Sequence, residues 1–133
     1  MSNDEVDAAM RDKIYKERMK RIYIAGPYSS TNVITVFRNM RNGMRMATEL
    51  ILLGYAVFCP WLDYNLFLQL GEHEHIDLEV IQAHSMAWLE VSDAILILPN
   101  HHTSKGTLAE IARAKELGIP IYYSLEELKE EMK

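Results

Sequence analysis

Four short apolar runs set the limits on what this chain can fold into. They are Ile22-Tyr23-Ile24-Ala25, Tyr55-Ala56-Val57-Phe58-Cys59, Ala94-Ile95-Leu96-Ile97-Leu98, and the stretch from Ile119 to Tyr123. Helically spaced segments lie between them, and no hairpin signal joins one run to the next. A strand that returns through a helix pairs in parallel with its predecessor. The alternation therefore predicts an α/β domain with a parallel sheet of four to five strands and helices on both faces.

With 133 residues the chain is long enough for one real core and too short for a second. Hydrophobic residues make up 49% and charged residues 25%, and the net charge of −5 includes no basic cluster. Attraction to a nucleic acid polymer or to a membrane surface is not expected, although a small anion can be held locally. The single Cys59 leaves no internal disulfide and suits a reducing compartment. Without a signal-peptide pattern or a run of about 18 apolar residues, a cytoplasmic protein is expected.

Residues 1–20 read as a helical arm with Val6, Met10 and Ile14 at i+4 spacing, ahead of the α/β domain at 21–133. From Asn32, the positions Val33, Val36, Phe37, Met40, Met44, Ala47 and Ile51 trace one face of a long helix that Gly54 stops. Residues 60–76 have no clean period and read as a loop carrying Trp61, Asp63, Tyr64, His73 and His75. Asp77 can cap a helix on which Leu78, Ile81, Ser85, Trp88 and Leu89 share a face, and Asp93 ends it. Another helix is expected from about Gly106 to Leu117, and Ser124-x-x-Glu127 opens the last one as a capping box.

The segment Thr103-Ser104-Lys105-Gly106-Thr107-Leu108-Ala109-Glu110 follows the third strand and opens a helix. Ligands bind at such strand-to-helix junctions in open α/β sheets, and the free N–H groups there favour an anion. Glu110 has two readings. As the last residue of Thr107-x-x-Glu110 it can simply reach back to its own helix N-terminus. Against that, Gly106 lets a ligand approach the backbone, Ser104 adds a second hydroxyl, and the loop Gly26-Pro27-Tyr28-Ser29-Ser30 would lie alongside if strands one and three are neighbours. Two loops so placed form a cleft at a topological switch point.

The run Ile22 to Tyr28, the segment Ser85 to Leu98, and Ser104-x-Gly106-x-x-x-Glu110 together resemble the nucleoside 2-deoxyribosyltransferase superfamily over about residues 21–123. The resemblance implies a single flavodoxin-like, Rossmann-like domain. It also implies that Glu110 attacks the anomeric carbon of a nucleoside or nucleotide and that Tyr23 orients it. Ser104 is similar to the branch that hydrolyses nucleoside 5′-monophosphates, where a Ser binds phosphate in place of an acidic residue that binds a free 5′-hydroxyl. Gly26, Pro27, Tyr28, Ser29, Gly106 and Thr107 complete the implied substrate site, with Ser30 as a further phosphate donor. In one respect the chain departs from the family: Ser85 stands where the superfamily usually carries an Asp that protonates or positions the leaving base. Ser85 can still position the base within the implied substrate site but is a poor proton donor, so Asp63 or His84 would have to serve, or turnover is weak or absent.

The chemistry is sound apart from the resemblance. Breaking an N-glycosidic bond builds positive charge on the sugar, which a carboxylate can stabilise and capture. The expected activity is base release from a nucleoside 5′-monophosphate. The alternatives are base exchange as a deoxyribosyltransferase, or nucleotide binding without turnover. No cofactor and no metal is expected, because His73-x-His75 and His84 lack a fixed partner ligand. The expected partners are a small nucleotide and, by resemblance, a second copy in a homodimer or larger homo-oligomer. The arm and the 33–51 helix are its candidate contacts. Trp61, Tyr64 and Phe67 are candidates to stack on a base.

Overall fold

The structure, a computed structural model, describes residues 2–16 and 18–132. Strands β1 (Arg21–Ala25), β2 (Ala56–Phe58), β3 (Ala94–Ile97) and β4 (Ile121–Tyr122) form one parallel sheet in the order β2-β1-β3-β4. Helices α1 (Asn3–Lys16), α2 (Val33–Leu52), α3 (Asp63–Phe67), α4 (Leu78–Glu90), α5 (Lys105–Leu117) and α6 (Leu125–Glu131) complete the described elements. The α/β expectation holds, with four strands.

Period-two alternation along β1 divides the core. Ile22 and Ile24 pack with Ala47 and Leu50 of α2, Trp61, Leu96 and Leu128 of α6 on one face. Tyr23 and Ala25 pack with Leu89 of α4, Ile95, Ile97, and Ile111 and Ala114 of α5 on the other. Because β2 lies on one side of β1 and β3 on the other, the chain reverses direction between β1 and β3. The loops that follow these two strands therefore flank a switch point. Gly26 sits there because the loops press together: a Cβ on it would come 2.9 Å from Leu98 Cβ.

Several expectations need correction. Residues 60–76 are not all loop, since Pro60–Leu62 form a 3₁₀ turn that runs into α3. The α2 face is displaced: Gly43, Ala47 and Leu50 are buried, whereas Val33, Phe37 and Ile51 stay exposed. The Trp61 ring takes the space over Gly43, which leaves no room there for a Cβ. On α4 only Leu89 is buried, and Leu78 and Trp88 are exposed. Asp77 occupies the α4 N-cap position without capping it, because its carboxylate accepts from His75 Nε2 at 3.1 Å. Ser124 does cap α6, but Glu127 reaches the N–H of Tyr123 instead of that of Ser124.

Helix α1 forms as expected, with Val6 and Met10 exposed; the Ile14 side chain lies outside the described residues. Asp93 ties the start of the sheet together, accepting from Arg21 N and from the Arg18 guanidinium, each at 2.7 Å. Burial alone would raise its pKa, but these two donors outweigh it and hold the carboxyl below the usual range.

Candidate active site

Helix α5 begins at Lys105 with Ser104, not Thr107, as its N-cap. Ser104 Oγ accepts from Thr107 N at 3.2 Å and from Thr107 Oγ1 at 2.9 Å. Thr107 is buried and its hydroxyl supports Ser104. Glu110 lies beyond this cap, which removes the capping-box reading. Gly106 borders both groups: a Cβ on it would stand 4.0 Å from Glu110 Oε1 and 4.0 Å from Ser104 Oγ. A Cβ at that position would only touch the carboxylate and the hydroxyl at ordinary van der Waals distance.

Below the cap, Glu110 meets Tyr23 from β1. Burial strips water from the Glu110 carboxylate and pushes its pKa up to about 7, against a downward pull from the Tyr23 hydroxyl. The Tyr23 hydroxyl is pushed far above its ordinary value, first by burial and then by Glu110, with Ser85 acting the other way and Asp63 adding to the rise. Residues of three helices, α3, α4 and α5, thus act on one phenol of β1. Glu110 and Ser85 are its hydrogen-bonding neighbours, although neither contact has full hydrogen-bond geometry. Among the described residues, the buried side-chain polar atoms left without a partner are the Tyr23 hydroxyl, the Tyr28 hydroxyl and Glu110 Oε2. Buried polar atoms are nearly always paired, so the Tyr23 hydroxyl and Glu110 Oε2, side by side at a switch point, mark a place where a ligand can supply the partners.

The loop after β1 is held from the segment after β2. Trp61 Nε1 donates to Pro27 O at 3.0 Å, and Tyr28 stacks on Tyr64 with ring centroids 4.9 Å apart. Trp61 is therefore a core residue and not a base-stacking one. Phe67 meets the Tyr64 ring edge-on. Ser29 is exposed, and Ser30 Oγ accepts from Asn32 N at 3.1 Å. Asn32 in turn caps α2.

Sequence reasoning missed an aromatic row beside the site. Tyr23, Phe58 and Trp88 stack in order at 5.0 and 6.0 Å, with the His84 ring tilted against Phe58. Behind Phe58 lies a cavity of about 550 Å³ whose lining includes Asp63, Asn65, His84 and Trp88. The signal was weak, because Phe58 reads as an ordinary strand residue and Trp88 as part of a helix face. No cluster of three or more His, Cys, Asp or Glu side chains able to hold a metal is found among the described residues.

Residues 20–124 match the family described as a domain of unknown function (DUF7768), and the chain belongs to that family. No curated protein matches it. Among solved structures, it is similar to a conserved protein from Enterococcus faecalis V583, with a TM-score of 0.61 and 21% identity. That match covers 77% of this chain and 61% of the other, so the chain spans less than two thirds of that protein. It is also similar to a 2-deoxyribosyltransferase from the psychrotolerant bacterium Bacillus psychrosaccharolyticus, with a TM-score of 0.55 and 21% identity, covering 76% of this chain and 69% of the other. Likeness at this identity shows a shared fold. No described helix is long and apolar enough to cross a membrane.

Proposed function

We propose that this protein is an N-glycosidase that releases the base from a nucleoside 5′-monophosphate, with Glu110 as nucleophile. The observation that carries this reading is the pairing of a half-buried Glu110, whose Oε2 is enclosed, with a buried Tyr23 below a helix N-terminus at the switch point. The Glu110 carboxylate attacks the anomeric carbon as the C–N bond breaks, and water later resolves the glycosyl-enzyme. Tyr23 fixes the carboxylate and, with Tyr28, offers hydroxyls to the sugar. Ser104 Oγ accepts two hydrogen bonds, which leaves its own proton free to donate to a phosphate oxygen at the α5 N-terminus.

The fold shared with a 2-deoxyribosyltransferase supports the reaction class and keeps base exchange as a second reading. Incubation with a panel of ribo- and deoxyribonucleoside 5′-monophosphates, with and without a second free base, tests both. Free base without an acceptor identifies a hydrolase, and product only with an acceptor identifies a transferase. Binding without either product would leave a nucleotide-binding module.

A further inference from the structure

The outward face of α2 is apolar at both ends and basic between them. Val33, Ile34 and Phe37 near its start and Ile51 and Leu52 near its end are each more than half exposed. Along its middle runs a surface groove of about 460 Å³, lined by Phe37, Met40, Arg41, Met44, Arg45 and Thr48. Arg38 and Arg41 have no carboxylate partner among the described residues, and Arg45 meets only the i+4 residue Glu49 at the surface. The α1 arm carries the opposite charge. Residues 2–12 hold four acids against one Arg, whereas α2 holds three Arg before its first acid, Glu49. Val6 and Met10 make an exposed apolar stripe along the arm, and helical geometry puts Glu5 on one side of it and Asp7 on the other. With 14 residues α1 is about 21 Å long, enough to cover the roughly 17 Å from Phe37 to Thr48.

We propose that two copies of this chain exchange arms, each laying its acidic α1 in the basic α2 groove of the other. Val6 and Met10 cover Phe37, Met40 and Met44, and the acids that border the stripe face Arg38 and Arg41. The apolar contact supplies the burial, and the charges choose the partner surface. A two-fold contact of α2 on α2 is the competing way to cover this face. It would set Arg41 and Arg45 of one copy against the same two residues of the other, with no acid to separate them. The arm's root also points away from its own groove. Arg18 is tied to Asp93 at 2.7 Å, just past the end of α4, and α4 covers the opposite face of the sheet from α2. Exchange makes the same contact twice and closes on itself, which leaves neither arm nor groove open to a third copy.

Two charge-reversed forms of the full chain test this by sedimentation: an arm variant, Asp4→Lys with Asp7→Lys, and a groove variant, Arg38→Glu with Arg41→Glu. The parent should sediment as a dimer, and each variant alone should dimerise at least about a hundredfold more weakly, because like charges then meet in both contacts. An equal mixture of the two variants should dimerise again. In that mixed pair the reversed arm lies in the reversed groove, and the native arm lies in the native groove. A monomeric parent would overturn the proposal, as would variants that dimerise like the parent, which would point to another interface. Variants that stay monomeric when mixed would also overturn it and would fit an arm folded onto its own chain. If circular dichroism shows either variant unfolded, the parent decides: its dimer should weaken at least about tenfold between 50 and 500 mM salt. A dimer indifferent to salt would overturn the proposal.

Discussion

Glu110 titrates near 7 because its side chain sits among apolar groups and a phenol instead of water. As a nucleophile it must be ionised, so base release should climb with pH through about 7, and a rate flat from pH 5 to 8 would remove it from the mechanism. Glu110→Gln should lower base release by at least about a thousandfold, on the order of 4 kcal/mol of barrier, in single-turnover assays. Ser104→Ala should weaken monophosphate binding by roughly 1.5–3 kcal/mol and barely affect the free nucleoside in calorimetry. Equal losses for both ligands would leave Ser104 as a helix cap alone. The identities of Glu110, Ser104 and Gly106 were legible because they share one strand-to-helix junction. The contact between Glu110 and Tyr23 was implied only by the family resemblance, since the residues alone do not show that β3 and β1 are neighbours with Tyr23 on the α5 side. Asp63 and His84 were named only as substitutes for the missing family Asp, and their meeting was not legible, because it spans a turn and a helix that share no sequence motif.

At the scale of elements, α2 shows how a correct period can give a wrong face. The three- and four-residue spacing from Val33 to Ile51 located the helix, but the buried stripe follows Gly43, Ala47 and Leu50. No periodicity rule places a glycine at the centre of a helix's buried side. Only the bulk of Trp61 explains it. That indole also donates to Pro27 O, so the packing of α2 positions the loop that carries Tyr28. Gly43→Ala should therefore destabilise the protein by about 1–3 kcal/mol through overpacking, despite the better helix propensity of Ala. Thermal denaturation should show a melting point lower by several degrees. An unchanged value would mean that the indole moves aside at no cost. The loop at 60–76 was misread for a related reason: the 3₁₀ turn and α3 are too short to imprint a period on the sequence.

For the whole molecule, the raised Glu110 pKa is also a statement about folding. A carboxyl of ordinary value 4.5 that titrates near 7 in the folded chain favours the folded state below pH 4.5, and this contribution is lost as pH rises through 7. The loss amounts to about 3 kcal/mol, or a fall of roughly 10 °C in melting temperature between pH 5 and 8. Glu110→Gln should flatten that fall, whereas an undiminished fall in the variant would assign it to other groups. The order β2-β1-β3-β4 has a consequence for synthesis as well. Among the described strands β1 leaves the ribosome first, and it is an inner one, paired on one side by residues 56–58 and on the other by residues 94–97. A nascent chain that has not passed residue 97 must keep Ile22, Tyr23, Ile24 and Ala25 unenclosed, four residues that are 0% exposed in the finished protein. Ser104 and Glu110 emerge directly after the strand that closes them in. Burial of β1 and assembly of the proposed nucleophile are thus timed to the same stretch of translation.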